Sequence, residues 1–462
     1  MTQEGQVGVI IEAGPREWQV VQRDERGMGC ISLAGRWVFE SPGRVEVRLA
    51  EEDTGASACP TLDWHPVETR ADGTWSTELT EIPSGGLYRL ETRFRADNNP
   101  AGEWSARGDM RHHLGVGELW VIAGQSNSAG YGRGVVHDPP ELGLHLFRND
   151  ERWSLATHPL NESTDTRHPV NREGANPAHA PYLHFARLLK RVLGCPIGLV
   201  QTSLGGSSLG QWNPGDGDGG LFRNLVHCVG LVGGKVRGVV WYQGESDASP
   251  ELGATYGTRF GHALTVWRQA LSLPDLAVVT VQLNRVTMPA TAEGDLGWSL
   301  VREAQRQAAR DLERVAVVPA TDLPLSDQIH TSPAGNLILG ERMARAALAM
   351  VYGQTLRYRA PEIQRARRIE DGRGLELSFD QVESRLDTLE PTRHSFRVEE
   401  DGVPVPVEEV AYPGGNLIRL RLARPLVGPA VIHAGWGMNP SPMPIDMERL
   451  MPILAFHGVP VE

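Results

Sequence analysis

Four short blocks of this chain place hydroxyls, carboxylates, amides and an imidazole beside flexible backbone: Gly124-Gln125-Ser126-Asn127-Ser128, Gly205-Gly206-Ser207, Trp241-Tyr242-Gln243-Gly244-Glu245-Ser246-Asp247 and Asp327-Gln328-Ile329-His330. A serine hydroxyl becomes a useful nucleophile only when a neighbouring base takes its proton. Asp327 and His330, three apart in a turn before a helix, can face the same side. The carboxylate then holds one ring nitrogen and leaves the other free to take the Ser126 proton. Glycines just past a strand bring backbone N–H groups close to a developing oxyanion. In the third block a side-chain amide can add a donor, and a carboxylate can support the imidazole. Together these groups are equipment for acyl transfer through a covalent serine.

A second serine competes for the role. Gly206-Ser207-Ser208-Leu209-Gly210 fits the GxSxG nucleophile elbow, which needs a helix directly after it. The chain continues Gln211-Trp212-Asn213-Pro214-Gly215-Asp216-Gly217-Asp218-Gly219-Gly220, which is not expected to open as a helix, so Ser208 is set aside. Trp212 is a candidate for stacking on a sugar ring. Arg133 and Arg148 are candidates for pairing with a ligand carboxylate. Asp216-Gly217-Asp218-Gly219 lacks the full ligand ladder of a calcium loop, and no metal site is expected.

The elements that must position these blocks are legible in the apolar patterning. Leu119–Ala123, Ile197–Gln201, Gly238–Tyr242, Ala277–Val281 and Val315–Val318 are short, almost uniformly apolar and rich in Val, as strands covered on both faces should be. Helical patterns fall near 179–193, 254–271, 298–312 and 333–351, so β and α units alternate and a parallel sheet flanked by helices is expected. In such sheets ligands bind beyond the carboxyl ends of the strands. Thr331 or Ser332 can cap the helix after His330, and Pro333 suits its first turn. Before about residue 110 and after about 360, period-two alternation between turn signals predicts β-rich modules. The division expected is 1–112 for an N-terminal β-sandwich-like module, 113–355 for the α/β domain and 356–462 for a C-terminal β-rich module.

Composition narrows the alternatives. The net charge is −12, with only Lys190 and Lys235 among 45 basic residues, so no basic footprint exists for nucleic acid. No apolar run reaches the roughly 18 residues of a membrane span. Met1-Thr2-Gln3-Glu4-Gly5 is polar and shows no basic region leading into an apolar stretch, so no export signal and a cytoplasmic location are expected as written, with a secreted or periplasmic location the alternative where a leader has been removed. Cys30, Cys59, Cys195 and Cys228 show no metal or redox spacing and are expected free and buried.

With these blocks in order, the chain resembles the sialate O-acetylesterase and acetylxylan-esterase branch of the SGNH hydrolases over about 115–352. The β-rich leader ending in Gly117-Glu118-Leu119-Trp120 resembles the one that precedes the catalytic domain of sialate O-acetylesterases. The resemblance implies an SGNH (flavodoxin-like) three-layer α/β/α domain and removal of acetyl groups from sugar hydroxyls, with an acetylated carbohydrate as partner and no cofactor. It assigns Ser126 as nucleophile and Asp327 and His330 as acid and base. It assigns the oxyanion donors to Ser126 N–H, to Gly206 or Gly205, and to the Gln243 side chain, with Glu245 as supporting acid behind His330. Ser128 departs from the pattern, where relatives commonly carry Met. The rival readings are a lipase or thioesterase-like acyl hydrolase on the same scaffold and a non-catalytic glycan-binding protein.

Overall fold

Strands with almost nothing but apolar residues must hide both faces, and here they pair side by side in one sheet against which helices pack. The computed structural model describes residues 7–99, 104–175 and 177–462; the leader Met1–Gly5 lies outside the described residues. The strand order at the centre is Trp153–Leu155, Leu144–Phe147, Ile197–Gln201, Ala106–Gly124, Gly238–Tyr242, Ala277–Gln282, Val315–Pro319. From Leu144–Phe147 to Val315–Pro319 all neighbours pair in parallel. The sheet as a whole is mixed. Trp153–Leu155 closes one edge as an antiparallel hairpin partner, and Gly85–Ala96 pairs antiparallel to the lower half of Ala106–Gly124. Among the described residues the continuous sheet counts eleven strands, so the expected parallel sheet is corrected to the parallel centre of a larger mixed sheet.

The correction comes from one long element. Ala106–Gly124 serves first as a strand of the N-terminal β-region, then dives into the parallel sheet without a break, so positions 112 and 113 lie in the same strand. Helices Tyr182–Leu193 and Pro333–Tyr352 pack on each other, and Pro250–Leu271 packs on Ala292–Asp311. The helix Gly220–Leu231 escaped the sequence reading, because its glycine-rich approach reads as a loop. Gly219 at φ +62° makes the left-handed turn that starts it. The hairpin pair Leu144–Phe147 and Trp153–Leu155 also went unread, being too short for a periodic signal.

The molecule is a mixed α/β fold with additional β-sheet modules. Three hydrophobic clusters correspond to the N-terminal strands, the central sheet with its helices, and the C-terminal strands from Glu362 onward. The cysteines are all free, but Cys30 is exposed rather than buried, while Cys195 and Cys228 are buried. No helix among the described residues is long and apolar enough to cross a membrane.

The N-terminal strands are joined to the central sheet by a buried charge. Glu118 is 0% exposed and accepts from Arg23 Nε at 2.6 Å, Arg237 Nε at 2.9 Å and Gln22 Nε2 at 2.8 Å. A carboxylate taken out of water is tolerated only when paired in this way. Removing one side of a buried pair leaves the other uncompensated, at about 3–5 kcal/mol. Both arginines keep some solvent contact, which places Glu118→Ala toward the lower end of that range. Urea unfolding of Glu118→Ala is therefore expected to show a loss of about 3 kcal/mol; an unchanged midpoint would mean that this cluster does not hold the joint.

Candidate active site

Parallel pairing brings the carboxyl ends of the strands to one edge: Tyr242 lies opposite Gly124, and Gln201 opposite Ile122. Each block therefore leaves the sheet at the same place. Gly124 has φ +128°, and a Cβ there would sit 2.2 Å from the Tyr242 carbonyl oxygen, so only glycine lets the chain break away from its neighbour. A single helical turn, Ser126–Ala129, follows, closed by Gly130 at φ +97°. Gln125 and Asn127 are buried on either side of a half-buried Ser126.

The Asp–His half of the expected triad is formed. Asp327 Oδ2 lies 2.7 Å from His330 Nδ1, and Asp327 Oδ1 accepts from the N–H groups of Ile329 at 2.9 Å and His330 at 2.8 Å. Burial works to raise the Asp327 pKa, but these donors outweigh it and hold the carboxylate below its ordinary range. The His330 ring also stacks on Tyr131, with centroids 5.1 Å apart and planes at 25°. Ser332 caps the helix Pro333–Tyr352, accepting from Gly335 N–H at 3.2 Å, as the sequence indicated. Neither Ser126 Oγ nor His330 Nε2 has a hydrogen-bond partner among the described residues, so the serine half of the relay is open here. Catalytic hydrogen bonds are often long in unliganded proteins and tighten with substrate.

What brings the two loops together is a residue the sequence reading passed over. Asn127 Oδ1 accepts from Thr331 N–H at 2.9 Å, while its Nδ2 donates to the Ile329 carbonyl at 3.3 Å and to Glu245 Oε1 at 2.8 Å. One amide thus grips the backbone on both sides of His330. A small amide directly after the candidate serine was the available signal.

The two glycines of the second block differ in what their N–H groups hold. Gly205 N–H donates to Glu173 Oε1 at 2.9 Å and is therefore committed. Gly206, exposed and at φ +70°, keeps its N–H without an acceptor among the described residues, as does Ser126 at the start of its turn. Glu173 was also missed: besides Gly205 it accepts from Tyr131 Oη at 2.7 Å and Asn161 Nδ2 at 2.5 Å. It couples the glycine block to the ring that lies on His330. No spacing rule could have found it in an irregular segment.

Several expected roles are corrected by what the side chains already hold. Gln243 is 0% exposed, and its Nε2 faces Asp247 Oδ2 at 2.6 Å, Gln125 Oε1 at 3.2 Å and the Ser207 carbonyl at 3.2 Å. With three acceptors around two hydrogens it has none left for an oxyanion. Glu245 bonds Asn127 rather than His330, so it supports the base only through that amide. Trp212 is fully buried among Trp241 and Trp267, and its Nε1 donates to Ser207 Oγ at 3.0 Å, so it offers no face to a sugar. Arg148 spends its guanidinium on Ser154, Thr157 and the carbonyls of Leu155 and Pro159. Asp216 pairs with Arg259 at 2.7 Å, and Asp218 accepts from Gly220 N–H at 3.0 Å, which makes that stretch a turn and a helix start.

Ser208 needs a different reason for its rejection. A helical turn, Leu209–Trp212, does open directly after it, contrary to expectation. Ser208 sits at its cap, with its N–H donating to Gln211 Oε1 at 3.0 Å, while the aspartate–histidine pair is laced to the Ser126 turn instead. Ser128 is fully buried, its hydroxyl donating to the Ala123 carbonyl at 2.9 Å and meeting Tyr182 Oη at 2.7 Å.

Burial raises the Glu245 pKa from 4.5 to about 7, and its Oε2 is buried without a partner. The folded state then holds a proton that the unfolded chain releases, so stability falls as pH rises from about 4.5 to 7 and is level above that. The Glu245→Gln protein is expected to lose this slope and to gain on the order of 3 kcal/mol at pH 8; parallel pH profiles of unfolding would decide the matter. Asn127→Ala frees the His330 loop and is expected to cost on the order of 10² in kcat, the scale for misplacing a reacting group by about 1 Å. Ester hydrolysis at wild-type rate by Asn127→Ala would remove its positioning role.

A family profile described as carbohydrate esterase, sialic acid-specific acetylesterase, matches residues 116–349. A probable carbohydrate esterase of Arabidopsis thaliana is 31% identical over 256 residues, covering 50% of this chain and 90% of the relative. The crystal structure of a novel carbohydrate acetylesterase from Xanthomonas citri superposes with a TM-score of 0.67 at 25% identity. That likeness covers 96% of this chain and 97% of the other, so it includes both β-rich ends. The chain belongs to the sialic acid-specific acetylesterase family of carbohydrate esterases and is a carboxylic ester hydrolase.

Proposed function

We propose that this esterase removes O-acetyl groups from sugars through a Ser126–His330–Asp327 acyl-enzyme mechanism. The observation that carries the proposal is the 2.7 Å contact of His330 Nδ1 with Asp327, on a loop that Asn127 ties to the turn bearing Ser126. Holding Nδ1 fixes the tautomer and leaves Nε2 as the base. His330 takes the Ser126 proton as Oγ attacks the acetyl carbonyl. The N–H groups of Ser126 and Gly206 meet the oxyanion. The sugar hydroxyl departs with the proton from His330, and a water molecule, activated by the same ring, releases acetate.

In the same reading the parallel strands and their two groups of helices form the three-layer α/β/α arrangement of SGNH hydrolases. The chain divides into modules 1–112, 113–355 and 356–462, with the first joint inside the strand Ala106–Gly124. The flanking β-modules brace the central domain. The matching family profile is described as a sialic acid-specific acetylesterase. That description makes an acetylated acidic sugar the substrate to compare first with acetylated xylan, mannan and simple acetyl-sugars.

Acetate release from this panel is expected from the wild-type protein and to fall by on the order of 10⁴ in Ser126→Ala. Full activity in Ser126→Ala would refute the nucleophile, and a preference for long acyl chains over acetate would refute the substrate class.

A further inference from the structure

Two His–His–carboxylate clusters stand apart from the catalytic groups, and the difference between them is informative. In the first, Asp138 Oδ2 lies 3.0 Å from His158 Nε2 and 3.2 Å from His179 Nε2. Its other oxygen is bonded to the Arg187 guanidinium, and the carboxylate is almost wholly buried. A resident cation already neutralises it, so a metal ion would meet a like charge.

The second cluster is built otherwise. Glu151 lies at the hairpin turn between Leu144–Phe147 and Trp153–Leu155, His168 directly precedes the short helix Pro169–Asn171, and His227 is on the helix Gly220–Leu231. Glu151 Oε1 lies 2.9 Å from His168 Nε2 and 3.2 Å from His227 Nε2. Among the described residues no arginine or lysine pairs with this carboxylate; Arg16 donates only to the Glu151 backbone oxygen. His168 Nε2 is buried yet not aligned for a hydrogen bond with the oxygen 2.9 Å away, so its lone pair or proton has no proper partner. The three donor atoms lie within 4.8 Å of one another. Ligands around a tetrahedral zinc ion with 2.0–2.1 Å bonds are separated by roughly 3.3 Å, so little closure is needed. His227, about half exposed, leaves the fourth position open to water.

We infer that Glu151, His168 and His227 form a site for a divalent first-row transition metal, zinc being the best match. Two imidazoles and one carboxylate suit such ions and disfavour calcium and magnesium, which take oxygen ligands. The metal would join the hairpin turn and the helix Gly220–Leu231 to the segment that runs from His168 to Glu173, the residue holding Gly205. It is a brace outside the reaction, and it stands whether or not the catalytic assignment does.

The test is calorimetric titration of ZnCl2 into untagged, chelator-stripped full-length protein, with Co²⁺ absorption as a report on coordination. One saturable zinc site, visible-band absorption with Co²⁺ and a melting temperature raised by zinc are expected. His227→Ala, at an exposed helical position, should weaken zinc at least about tenfold. His158→Ala, in the other cluster, should bind zinc as the wild type does. Absence of saturable binding, unchanged affinity in His227→Ala, or loss of binding in His158→Ala would each overturn the assignment.

Discussion

The site depends on one constraint: backbone groups at the end of a buried parallel sheet must find partners away from water. Asn127 meets that constraint for the loop bearing His330. Its amide satisfies the Thr331 N–H and the Ile329 carbonyl together, and its remaining donor goes to Glu245. Because Asn127 is the immediate neighbour of Ser126 on a single helical turn, the same bonds that satisfy the backbone also tie the His330 loop to the Ser126 turn.

A division of labour follows from burial. Side chains turned inward at this edge serve the loops: Gln125 and Gln243 meet through their amides, and Asp247 accepts from Gln243, from Leu209 N–H at 2.8 Å and from Arg259 at 2.8 Å. These contacts tie the third block to the second, so the Gly206 backbone is presented by a rigid support. Among the described residues, Ser126 Oγ, the Gly206 N–H and the outer nitrogen of His330 are left without partners at the surface of the edge, beside the buried Glu245 Oε2. A buried amide has no spare hydrogen to offer a reaction, whereas an exposed backbone N–H loses nothing by waiting in water.

The β-rich ends are more than appendages. The strand Ala106–Gly124 belongs to the N-terminal sheet region and also carries the turn of Ser126, so the first module and the catalytic edge share a backbone. The Glu118 cluster locks that shared strand from below. At the other end, the fully buried Arg302 on the helix Ala292–Asp311 donates to the carbonyls of Gly435 and Gly437, which anchors the C-terminal strands to the central domain.

Much of this was written in the chain itself. Five apolar runs and four helical periods are local signals, because each reflects how one segment meets one side of the sheet; all are present, though the strand read at 119–123 begins at Ala106 and the helix read at 298–312 begins at Ala292. The Asp327–His330 contact was legible for the same reason, since three residues of turn suffice to make it. What could not be read were partners chosen at long range. Nothing local says that the Gln243 amide faces Asp247 and Gln125, that Trp212 is buried against two other tryptophans, or that Glu173 holds Gly205. A side chain's type limits what it can bond, but which group fills that capacity is decided by loops that meet only after the sheet has formed. The sequence therefore determined the inventory and the strand ends, and tertiary packing decided which of those groups remained free to act.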